Sequence, residues 1–152
     1  MSDRAARRAQ RLQRVARIGD AVAKASEAIV AQRRGELAVQ EERLQVVENY
    51  CRDYAESTRR QETVGQNIVT WRNYRDFSGW LSQMSVAQRN EVAQAQFFVD
   101  AALDEALQKR NFARALENAS ERASNAAARE AVQREQKAMD ALARPMPDGL
   151  AS

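Results

Sequence analysis

The 152-residue sequence contains no histidine, one cysteine, two prolines and five glycines. Without histidine, and with Cys51 alone, the usual soft and borderline metal ligands are nearly absent and an internal disulfide is excluded. No metal site or cofactor is expected. An intracellular, reducing compartment fits this cysteine usage. The scarcity of glycine and proline argues against a layered globule, which needs many tight turns, and for long uninterrupted helices. No run of about 18 apolar residues occurs, so no segment reads as a membrane span. The arginine-rich opening, "MSDRAARRAQRLQRVAR", lacks the apolar core of a secretory signal and reads as part of the mature helical structure.

What is present is charge and alanine. Charged residues make up 30% of the chain, and much of the 44% counted as hydrophobic is Ala, a helix former that buries little area. Only two stretches interrupt the helical pattern. "QETVGQNIVT" (61–70) holds Gly65, Asn67 and β-branched residues without helical spacing, and "RPMPDGLAS" (144–152) holds Pro145 and Pro147. One coiled-coil domain over 1–152 is therefore expected: a helix over 3–60, a loop over 61–72, a helix over 73–143 and a flexible tail over 144–152.

Ser2 is the expected cap of the first helix, and Asn73 with Asp76 that of the second. The first helix repeats apolar residues at Val15, Ile18, Val22, Ile29, Val30, Leu37, Leu44 and Cys51, with Val47 and Tyr54 between. The second carries Tyr74, Phe77, Leu81, Met84, Gln88, Val92, Ala95, Val99, Ala102, Ala106 and Ala113. Each helix has one narrow seam near a seven-residue period, so each needs a partner. A short loop joins antiparallel neighbours. The expected fold is all-α: two long helices in an antiparallel coiled-coil hairpin, a rod in which a helix of about 55 residues spans roughly 80 Å.

The net charge of +3 is unevenly distributed. Residues 1–34 carry nine Lys/Arg against three Asp/Glu, residues 35–104 seven against eleven, and residues 105–143 seven against six. A hairpin brings the first and last of these together, giving a basic end with both termini and an acidic end with the loop. Arg4, Arg7, Arg11 and Arg14 form a stripe, with Arg8 and Arg17 beside it. Three readings stand: a solvated face, a docking surface for an acidic protein cavity, and phosphate binding to nucleic acid. No aromatic residue interleaves with these arginines and no nucleic-acid-reading motif follows, which counts against the third. With no histidine, cysteine pair, glycine-rich phosphate loop or expected concave pocket, the chain does not read as an enzyme.

The aromatic residues are concentrated. Six of the nine, Tyr50, Tyr54, Trp71, Tyr74, Phe77 and Trp80, lie between residues 50 and 80. A two-helix seam absorbs some of them, and Trp71 and Trp80 fall on its opposite edges. Rings left partly exposed on a rigid helix resemble the anchors of protein interfaces.

The order of these features resembles the FliJ family, small coiled-coil proteins of the bacterial flagellar type III export apparatus. The matching residues are "YCRDY" (50–54), Trp71, Asn73, Tyr74, Phe77 and Leu81, and "REQKAMDALARP" (134–145). Gly79 and Trp80 depart from the polar helix formers usual there. The resemblance implies a non-enzymatic, central-stalk-like coupler, cytoplasmic and peripheral to the inner membrane at the flagellar base. Its implied partners are the hexameric export ATPase, which it binds and stimulates, the export gate membrane protein, and export chaperones that it escorts. The gate contact implied is Val47, Tyr50, Tyr54, Phe77, Leu81, Met84 and Gln88. Joined to the charge distribution, the resemblance assigns ATPase docking to Arg4, Arg7, Arg8, Arg11 and Arg14. The alternatives are the stalk protein of a virulence injectisome, a basic helical nucleic-acid-binding protein, and a coiled-coil scaffold whose seam closes between chains.

Overall fold

The protein is described by a computed structural model that covers residues 2–62, 65 and 68–144, with side chains from Asp3 onward. Two helices, α1 (Ser2–Glu62) and α2 (Ile68–Ala143), make up the described chain, with no strand among the described residues. They pack antiparallel as a helical hairpin and contribute to two compact units. The first comprises Met1–Lys24 and Leu107–Ser152, the second Ala25–Ala106.

In the second unit, the seam positions of α1 are Ser26, Val30, Arg33, Leu37, Gln40, Leu44, Val47, Cys51, Tyr54 and Thr58, with Glu48 half-buried at their edge. Their steps alternate between four and three, the heptad rhythm of a coiled-coil seam. Opposite them lie Tyr74, Phe77, Leu81, Ser85, Gln88, Val92, Ala95, Val99, Ala102 and Ala106. Val30, Ala102 and Ala106 form the buried apolar cluster at one end. Further along, the Gln88 amide donates to the Gln40 backbone carbonyl at 3.0 Å and to its side-chain oxygen at 2.9 Å. This polar layer opposes sliding, because a shifted register would leave both amides half-buried and unpaired.

The first unit has a leaner seam. Ala5, Ala9, Leu12, Ala16, Gly19 and Ala23 of α1 face Ala113, Leu116, Ser120, Ala123 and Ala127 of α2. Leu116 is the knob: its Cδ1 lies 2.8 Å from where a Cβ on Gly19 would stand. Beside it, Arg110 Nη1 donates to Asp20 Oδ1 at 2.8 Å, and Lys24 pairs with the other carboxylate oxygen at 3.1 Å. Past Ala127 every described side chain of α2 is exposed, so residues 128–143 form a solvated helix without a helical neighbour among the described residues.

Three expectations are corrected. Val15, Ile18, Val22 and Ile29 are exposed; each stands one residue before a seam position, and Ala16, Gly19, Ala23 and Val30 behind them face α2. The alternation set by Val30, Leu37, Leu44 and Cys51 leads back to Ala23, Gly19 and Ala16, and small residues on both sides permit close backbone approach. Met84 is likewise exposed and Ser85 takes its place. The steps from Tyr74 through Phe77 and Leu81 to Ser85 run three, four, four, an extra four-residue step that shifts the stripe. Finally, α2 starts at Ile68 instead of 73, which places Asn73 and Asp76 inside the helix rather than at its cap. β-Branched residues cost a helix only a few tenths of a kcal/mol each, and the extension carries Tyr74 onto Tyr54. The Ser2 side chain, and the expected tail beyond Arg144, lie outside the described residues.

Candidate functional site

Two surfaces carry the candidate residues, one in each unit. In the first unit, Arg4, Arg7, Arg8, Arg11 and Arg14 are all exposed. Arg4, Arg7, Arg11 and Arg14 follow steps of three, four and three on the side of α1 turned from α2, because Ala5, Ala9, Leu12 and Ala16 hold the seam. Arg7 reaches back to Asp3 at 3.3 Å, an exposed pair worth little against solvent. Asp3, Arg4, Arg7, Gln10, Arg11 and Arg14 line one open depression along this face. The same side of α1 continues through the exposed Val15, Ile18 and Val22. This face is thus mixed: guanidinium groups first, then β-branched apolar side chains that no described element covers. The unit holds fifteen Lys/Arg against eight Asp/Glu, a net +7, and the second unit nine against thirteen, a net −4.

Asp20, at the edge of this unit's seam, has its carboxyl pKa lowered, first by the hydrogen bond from Arg110 and then by that from Lys24. The carboxylate fixes the α1–α2 register there.

In the second unit the rings form a stacked ladder. Tyr54 and Tyr74 lie parallel with centroids 4.7 Å apart, Tyr54 meets Phe77 edge-on at 4.6 Å, and Phe77 stacks on Trp80 at 5.7 Å. The Tyr74 hydroxyl donates to the Tyr54 carbonyl at 3.2 Å, and the Thr58 hydroxyl donates to the same carbonyl at 2.7 Å. Burial raises the Tyr74 pKa, with smaller contributions from Tyr54 and Glu62. One step along, the Cys51 thiol donates to the Leu81 carbonyl at 3.8 Å.

This ladder divides the residues that the resemblance assigned to gate contact. Leu81 is only 4% exposed, and Val47, Tyr54, Phe77 and Gln88 are half-buried in the seam. Tyr50 and Met84 are exposed. Both immediately precede a seam residue, Cys51 and Ser85, which puts them on the same flank of an antiparallel pair. Val46 and Trp80, also exposed, precede Val47 and Leu81 and share that flank. The accessible surface is therefore Val46, Tyr50, Trp80 and Met84, supported from behind by Tyr54, Phe77 and Leu81. Trp80 was visible in the sequence as a ring on the stripe's edge. Val46 was not, because a lone valine beside Val47 reads as seam until the heptad phase is known.

Three aromatic residues stand apart. Phe97, Phe98 and Phe112 are exposed, and the Arg33 guanidinium lies 5.1 Å from the Phe98 ring centroid. That contact explains how an arginine occupies a seam position: its stem packs inward while its head covers a ring and pairs with Glu36 at 3.0 Å.

No cluster of metal-ligating side chains occurs among the described residues, and no helix there is long and apolar enough to cross a membrane. No curated protein and no solved structure matched the chain. The sequence model of one family, described as "Flagellar FliJ protein", matches residues 8–146, nearly the whole length. The match spans both helices, the ring ladder and the exposed end of α2. The chain therefore belongs to the FliJ family and is a flagellar type III export-related protein.

Proposed function

We propose that the chain is a non-enzymatic coupler at the cytoplasmic face of the inner membrane at the flagellar base. Its first unit binds and stimulates a hexameric export ATPase, its second contacts the export gate, and the protein also escorts export chaperones. The observation that carries this reading is the mixed face of α1. A merely solvated arginine stripe would be followed by polar residues. Here Arg4, Arg7, Arg11 and Arg14 run into Val15, Ile18 and Val22, which lie outside the seam. Exposed apolar side chains beside exposed positive charge suit a protein partner with an acidic rim, because the charge steers encounter and the apolar area holds the complex. The solvated α2 segment 128–143, with Arg129, Arg134 and Lys137, is the second docking element of that unit.

The test is a titration of the cognate ATPase with purified protein. Stimulation is expected, and reversing charge at Arg7, Arg11 and Arg14 should reduce it steeply while helix content stays unchanged. A folded protein that neither binds nor stimulates an active ATPase would reject the proposal. For the second unit, Tyr50→Ala and Met84→Ala should weaken gate binding with little change in melting temperature. Leu81→Ala should melt the hairpin first, since it removes a buried side chain worth about 2–5 kcal/mol.

A further inference from the structure

The first turns of α2 present a surface that neither the seam nor the proposed partners use. Ile68 is 70% exposed, Val69 63% and Trp71 47%, three large apolar exposures within the first four residues of a helix. Ile68, Trp71, Arg72 and Arg75 stand at i, i+3, i+4 and i+7, so they share one face. The Arg75 guanidinium lies 5.5 Å from the Trp71 ring centroid. Between residues 59 and 75 the sequence has four arginines and one carboxylate, Glu62. This local excess sits in a unit whose net charge is −4.

We propose that this face docks on an anionic lipid surface. Protein interfaces tend to gather apolar side chains centrally and to leave charge at the rim. Here isoleucine and tryptophan are followed by two arginines on one face within about two turns, the composition of a helix lying at the boundary between headgroups and acyl chains. The tryptophan ring suits that boundary, and the arginines suit the phosphates above it. Because no described helix is apolar enough to span, the contact is peripheral. Asp76, the nearest carboxylate on α2 beyond Arg75, is one position further round the helix. The proposal is independent of ATPase coupling, which rests on the first unit.

The two tryptophans make the test specific. Trp80 follows Trp71 by nine residues, half a turn beyond two full turns, so the two rings point to opposite sides of α2. The full-length chain would be floated with vesicles of phosphatidylcholine alone and of phosphatidylcholine with phosphatidylglycerol. Binding only to the phosphatidylglycerol vesicles is expected, weakening about tenfold at high salt. In Trp80→Phe, the remaining Trp71 emission should shift to shorter wavelength on these vesicles and resist an aqueous quencher. In Trp71→Phe, the Trp80 signal should not change. Arg72→Glu with Arg75→Glu should reduce binding by about tenfold or more while the helical circular dichroism is retained. Absence of vesicle binding, equal binding to both vesicles, insensitivity to the arginine reversals, or shielding of Trp80 in place of Trp71 would each overturn the proposal. Shielding of Trp71 by the gate protein without vesicle binding would also overturn it and assign the face to a protein.

Discussion

Gly19 and Asp20 sit side by side on α1 and constrain the same layer by different means. Gly19 leaves the notch that Leu116 fills, and a Cβ there would stand 2.8 Å from Leu116 Cδ1 and 3.6 Å from Ala113 Cα. Gly→Ala in an exposed helix interior ordinarily gains about 1 kcal/mol, and that gain is expected at Gly35 and Gly79, where nothing lies within 4 Å. At Gly19 the overpacking cost of about 1–3 kcal/mol offsets it or exceeds it. Thermal melts should therefore show Gly35→Ala and Gly79→Ala raising the midpoint and Gly19→Ala failing to. Leu116→Ala should cost less in the Gly19→Ala background than alone. Asp20 gives a pH-dependent counterpart. Its folded pKa is lowered by Arg110 and Lys24, so its stabilising effect is present above the unfolded carboxylate value of about 4 and is lost as pH falls through the lowered folded value. Asp20→Asn should thus be less stable than the parent chain at neutral pH. Melts followed into acid should show the two converging below about pH 4. A gap that persisted there would assign the loss to packing rather than charge.

At the scale of the helices, the sequence allowed their number, type and antiparallel pairing to be read, because heptad spacing, alanine content and two breaks all agree. The phase of α1 in the first unit could not be read. Val15, Ile18 and Val22 are larger and more apolar than Ala16, Gly19 and Ala23, so hydrophobicity alone prefers them as the seam. What decides against them is the geometry of the partner, whose Ala113, Ala123 and Ala127 admit a close backbone and fix the small residues inside. The residues that the resemblance implies for gate contact read in sequence as one surface for a related reason: seam and flank differ by a single position, and only the heptad phase separates Tyr50 from Cys51 or Met84 from Ser85. The start of α2 was misplaced because Ile68, Val69 and Thr70 lack a helical apolar pattern, while the Tyr54–Tyr74 stack that favours extending the helix is a contact between elements. Gly65, between the two helices, has φ +80°. Gly65→Ala should destabilise the hairpin by about 1–2 kcal/mol, the cost of a Cβ in the left-handed region. Open space around it means that packing adds nothing. Equilibrium denaturation of this variant beside Gly35→Ala separates the backbone effect from helix propensity.

Across the whole molecule, the two units are stabilised to different degrees by the same kind of seam. In the second unit the seam includes Val30, Leu37, Leu44, Val47, Tyr54, Tyr74, Phe77, Leu81, Val92 and Val99; in the first, Leu12 and Leu116 are the apolar seam side chains larger than alanine among the described residues. Each buried CH₂ contributes about 0.8 kcal/mol, so replacing leucine-sized layers by alanine layers removes a few kcal/mol per heptad. The Asp20 ion pairs restore little of that at a half-exposed position. Opening should therefore be local and unequal. Native-state hydrogen exchange is expected to show the least protection in α2 from 128 to 143, where no neighbour among the described residues covers the helix and a segment of about 16 residues is marginal alone. The seam amides of Ala9–Ala16 and Ser120–Ala127 should follow, and those of Leu37–Cys51 and Leu81–Val92 should be slowest, with each class separated by an order of magnitude or more. Such a gradient would leave the arginine-bearing unit free to reshape on the proposed ATPase while the ring ladder stays fixed. Adding the ATPase should then slow exchange in the first unit selectively. Uniform protection along both helices would show instead that the hairpin opens as one cooperative body, and that its alanine seam is as strong as its aromatic one.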